Sequence, residues 1–137
     1  PLEGTVLLTV SEHDRQGAIE VARRFTELGF DIKATEGTHA CLNEHGIHSE
    51  RILKMHEGRP NIADAIRNKE IQLVVNTPAG RQSIHDDSYI RKAAIQYNVP
   101  YITTIAAAIA AARGIAETRK GRGEIRSLQE YHTGISG

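Results

Sequence analysis

One cysteine (Cys41), one methionine, no tryptophan and 4% aromatic residues leave this 137-residue sequence with few side chains for redox, metal or base-stacking chemistry. A lone cysteine excludes an intrachain disulfide framework and a cysteine-built zinc site, and it suits a reducing compartment, so a cytoplasmic location is expected. Charge of one sign is also missing: lysine plus arginine and aspartate plus glutamate number 17 each. No overall field draws such a chain to nucleic acid or to an acidic membrane surface. The basic stretches Arg23-Arg24 and 120–126 carry no interleaved aromatics, which argues against nucleic-acid recognition. There is no apolar run near membrane-spanning length. The start, Pro1-Leu2-Glu3-Gly4-Thr5, has neither an initiator methionine nor the layout of a secretory signal, and the expectation is a piece cut from a longer chain.

Seven histidines are present, with His45, His48 and His56 near one another, but none stands at an ordered ligand spacing. No metal site is expected. His85-Asp86-Asp87-Ser88 holds the residue types of a hydrolytic triad, yet adjacency in sequence does not build one, and Asp87 or Ser88 is assigned to capping a helix.

What is there is an alternation of short β-branched runs with segments of helical spacing, the pattern of a parallel sheet covered by helices. Strands are expected at 5–10, 30–35, 51–54, 71–76 and 101–103. A helix is expected from Arg15 to Leu28, where Ile19, Val21, Ala22, Phe25 and Leu28 share a face and Gly29 follows. Others are expected over 37–42, through Ile62 to Ile66, over 89–97 and over 105–117, with 121–137 an irregular or mobile tail. The fold class is thus α/β: one three-layer, doubly wound, Rossmann-like domain with five parallel strands. Such sheets bind ligands beyond the carboxyl ends of their strands, where the winding reverses.

The residues just past those strand ends include the hydroxyls of Thr35 and Thr38, a flexible Gly37, the cations Arg15 and Lys54, and the amide Asn76. Hydroxyls, a helix start and one or two cations suit a phosphate dianion. Taken singly, each residue is better read as a helix cap or a solvated cation, and only their convergence is informative.

Three stretches carry a family resemblance: Ala34-Thr35-Glu36-Gly37-Thr38, Lys54-Met55-His56-Glu57-Gly58-Arg59-Pro60 and Val75-Asn76-Thr77-Pro78-Ala79-Gly80-Arg81. Together with Ile90-Arg91-Lys92-Ala93-Ala94, they resemble the methylglyoxal synthase-like fold as it occurs at the C-terminus of carbamoyl phosphate synthetase large subunits. The resemblance implies an allosteric domain that binds UMP or IMP and controls a glutamine-dependent ligase serving arginine and pyrimidine biosynthesis. It implies a parent enzyme using ATP with Mg or Mn. It also implies the rest of the large subunit and a glutaminase small subunit as partners, with a homo-oligomer as a further option. By position it assigns effector phosphate to Arg15, Thr35, Gly37, Thr38 and Lys54, and ribose and base to Thr9, Asn76 and Thr77. Arg15 and Thr9 stand where better-known members have lysine and serine, and Pro78 replaces a threonine, which removes a hydroxyl and a backbone donor.

The resemblance also raises a lyase acting on dihydroxyacetone phosphate, which needs a carboxylate base beside the phosphate site. Arg59 stands at the corresponding place, and a guanidinium stays protonated. Asp64 reads as a solvated helix position and Glu57 as a loop carboxylate paired with Arg59. No catalytic residue is therefore expected in this segment. A structural oligomerisation module is the third class.

Overall fold

The computed structural model describes the backbone of residues 3–53, 58, 61–77 and 84–134, and the side chains among these up to 119 except 84–87. Lys54, Glu57, Arg59 and Pro78 lie outside the described residues.

Five parallel strands form one sheet: β1 (Thr5–Thr9), β2 (Asp31–Ala34), β3 (Glu50–Arg51), β4 (Leu73–Asn76) and β5 (Tyr101–Ile102). Their spatial order is β3-β2-β1-β4-β5. The chain winds outward from β1 to β3, returns to the far side of β1 as β4, and continues to β5. The reversal falls between β1 and β4, whose register pairs Thr9 with Asn76.

The central strands are buried on both faces, and successive side chains enter opposite cores because they point to opposite sides of the sheet. Val6, Leu8, Leu73 and Val75 join one core cluster with Phe25, Leu42, Ala108 and Ala112. Leu7 and Val74 join the other with Ile62, Ile66, Ile90 and Ala94. Helices α1 (Arg15–Glu27), α2 (Glu36–Glu44) and α5 (Ile105–Gly134) thus cover one face, and α3 (Ile62–Arg67) and α4 (Ile84–Gln96) the other. The three-layer, doubly wound architecture follows.

Helix ends are set by local chemistry. Gly29 at φ 88° closes α1: its own N–H reaches the Thr26 carbonyl, and that of Phe30 reaches Phe25. Gly46 at φ 73° ends α2 the same way through Asn43 and Leu42. In each case the residue after glycine, Phe30 or Ile47, packs back into the core. Phe25 and Phe30 meet edge to face at 5.2 Å.

Three local expectations need correction. The chain over 121–134 is helical rather than irregular, since α5 continues to Gly134. Gly121 and Gly123 cost about 1 kcal/mol each in helix propensity, and the sequence around them is rich in good helix formers such as Arg, Glu, Leu and Gln. Helix α4 begins at Ile84, so Asp87 and Ser88 stand inside it and do not cap it. Asp64 is buried at 7% exposure, not solvated. It completes a capping box in which its Oδ2 accepts from the Asn61 N–H and Asn61 Oδ1 accepts from Ala63 and Asp64.

Candidate functional site

The carboxyl ends of β1, β2 and β4 bring together most of the residues singled out from sequence. Thr9 ends β1, Thr35 follows β2, Asn76 ends β4 and Thr77 follows it. All four are buried, as is Thr38 in the first turn of α2. Backbone pairing fixes the grouping: Thr35 N–H donates to Leu8, and Thr77 N–H to Thr9 at 3.1 Å.

The side chains are wired in one sense. Thr35 donates its hydroxyl to Thr9 Oγ1 at 3.1 Å. Thr38 Oγ1 accepts from the Val10 N–H at 3.3 Å, and Thr77 Oγ1 accepts from the Ser11 N–H at 2.9 Å. A hydroxyl offers one proton as well as its lone pairs, so Thr9, Thr38 and Thr77 each keep an O–H to donate elsewhere. These threonines therefore arm the strand ends with donors.

The N-terminus of α2 adds to them. Thr35 is its N-cap residue by backbone geometry, but the Thr35 side chain makes no capping bond. The first-turn amides of a helix have no intrahelical partner, and together they form its positive end. Against this end lies a cation. A Cβ at Gly37 would overlap Nη2 of Arg15 and come within 3.1 Å of its Cζ. Arg15 Nε is buried and has no hydrogen-bond partner among the described residues. A guanidinium beside a positive helix end, with one nitrogen unsatisfied and out of reach of water, is a costly arrangement that an anion relieves.

Nearby carboxylates are held aside. Glu36, the first residue of α2, pairs with Arg51 at 3.6 Å, and Asp14 accepts from the Ser11 hydroxyl at 3.0 Å. Among the described residues no group of histidine, cysteine and carboxylate side chains could hold a metal ion, and no helix is long and apolar enough to cross a membrane.

Sequence reasoning missed two participants. Tyr101, on β5, accepts from Asn76 Nδ2 at 2.9 Å and so orients the buried amide. Ser11 lends its backbone N–H to Thr77. The signal for Tyr101 was its place in the last strand of the sheet, beside β4; nothing in the sequence pointed to a backbone donor.

Residues 17–103 match the MGS-like domain family. The chain is 45% identical over 134 residues to the carbamoyl phosphate synthase large chain of Acidobacterium capsulatum, covering 98% of this chain and 12% of that one. It is 44% identical over 137 residues to the large chain's C-terminal section in Aquifex aeolicus, with 96% of this chain and 26% of the relative covered. It thus spans a small part of the length of the relatives it matches. The crystal structure of methylglyoxal synthase from Elizabethkingia anophelis superposes with a TM-score of 0.66 over 82% of this chain and 78% of the other, at 17% identity. That likeness speaks for the fold alone. With the family pattern matched across more than half of its length, the chain belongs to the MGS-like domain family.

Proposed function

We propose that this chain is the regulatory domain of a glutamine-dependent carbamoyl phosphate synthetase large subunit and binds a nucleotide monophosphate effector, UMP or IMP, across its strand ends. The observation that carries the anion site is Arg15, with a buried, unpartnered Nε against the uncapped N-terminus of α2. Around it are donors with protons to give, which suits a ligand made of acceptors. The phosphate falls to Arg15, Thr35, Gly37 and Thr38, joined by Lys54 from outside the described residues. Ribose and base fall to Thr9, Asn76 and Thr77 on the β1–β4 side. The likeness to carbamoyl phosphate synthase large chains supports the parent assignment.

In this reading the parent ligase uses ATP with Mg or Mn in the cytoplasm, with the rest of the large subunit and a glutaminase subunit as partners. The present segment supplies control and no catalytic step. Control requires that the effector bind one state of the parent more tightly than the other.

Calorimetric titration with UMP, IMP and inorganic phosphate tests the pocket. Arg15→Ala and Thr38→Ala are expected to weaken binding by about tenfold or more, the scale of a lost hydrogen bond to a charged group. Unchanged affinity in both variants sinks the site. Absence of binding combined with concentration-dependent association in sedimentation favours an oligomerisation module instead.

A further inference from the structure

Gly37 reads from sequence as a flexible residue at a phosphate loop, but it sits inside helix α2 and is not among the glycines of positive φ. Its backbone has no need of glycine. What needs glycine is the space beside it, which the Arg15 guanidinium fills: a Cβ would overlap Nη2 and stand 3.1 Å from Cζ and 3.7 Å from Nε. Nε and Nη2 share one edge of the guanidinium, and two parallel N–H groups along that edge match two oxygens of a phosphate. Of this edge, Nε is buried and has no hydrogen-bond partner among the described residues.

We infer that Gly37 is a positioning residue acting through Arg15: by lacking a side chain it lets the guanidinium present its Nε and Nη2 edge, as a two-pronged fork, to a phosphate group at the start of α2. The inference rests on the anion-binding reading above and adds the device that selects phosphate geometry. A lysine at position 15 would act as a point charge and gain nothing from the space over Gly37. The crowded atoms are the far end of a flexible side chain, so a methyl group at position 37 displaces the guanidinium and leaves the backbone in place. Alanine is also the better helix former. The two properties therefore separate, and Gly37→Ala keeps or raises thermal stability while anion affinity falls.

The test is a double-mutant cycle on this chain, with inorganic phosphate and UMP as the titrants and thermal unfolding as the control. Gly37→Ala is expected to weaken both ligands by about tenfold or more with no loss of melting temperature. Arg15→Lys is expected to weaken them similarly, and adding Gly37→Ala to Arg15→Lys should cost no more than about a further twofold, because coupled residues are not additive. Undiminished affinity in Gly37→Ala overturns the inference and leaves the site reading intact. The same loss from Gly37→Ala in the Arg15→Lys background overturns it too, since Gly37 would then act independently of Arg15. Failure of the unaltered chain to bind either titrant overturns both.

Discussion

At the scale of single residues, buried hydroxyls serve two tasks at once. Thr38, 2% exposed, gives its oxygen to the Val10 N–H and retains a proton to donate, which the proposed reading gives to a ligand. Thr38→Val keeps the shape and removes both functions, leaving a buried amide without its acceptor. Urea denaturation should show a loss of about 1–3 kcal/mol in the absence of ligand, and phosphate affinity should fall in parallel. A stability equal to that of the unaltered chain would mean that Val10 finds another acceptor. That threonines gather here was legible in the sequence, because Thr35 and Thr38 flank a strand end and a helix start. The direction of each hydrogen bond was not, because it depends on which backbone donors β1 presents. Asp64 was misread for a related reason: helical spacing places it among apolar residues, but only a preceding Asn61 in extended geometry turns it into a cap partner.

At the scale of elements, a shared device ends the helices. After α1 and α2 the left-handed position is glycine, whereas after α3 it is Lys69, at φ 60°. Lys69 makes the same pair of bonds, its N–H to Ile66 and that of Glu70 to Ala65. A side chain in this conformation costs about 1–2 kcal/mol, and glycine returns about half of the gain as chain entropy. Lys69→Gly should therefore raise stability by about 0.5–1 kcal/mol in chemical denaturation, and a loss would show that the lysine side chain contributes a contact worth more than the strain. Strands and helices with clear punctuation, such as β4 and α1, were readable from their apolar spacing. The start of α4 and the length of α5 were not: Ile84 opens a helix ahead of the polar residues that resemble its cap, and the glycines of α5 look like a stop while their neighbours keep the turn going.

At the scale of the whole molecule, a ligand that binds only the folded chain adds its binding free energy to stability. At 100 times its dissociation constant, UMP should stabilise the domain by about 2.7 kcal/mol, which for a chain of this size is about 9 °C in melting temperature. Differential scanning calorimetry with and without UMP reads this shift directly, and a constant melting temperature at saturating concentrations contradicts specific binding. The parallel sheet has one more consequence. Because β1 pairs on one side with β2 and on the other with β4, the proposed site borrows from stretches as far apart as Thr9 and Thr77. During synthesis the early half of this sequence emerges with hydroxyls and a guanidinium but no completed receptor. On the proposed reading, recognition of a metabolite is thus a late event in maturation, available only once the strand ending in Asn76 has docked beside the first.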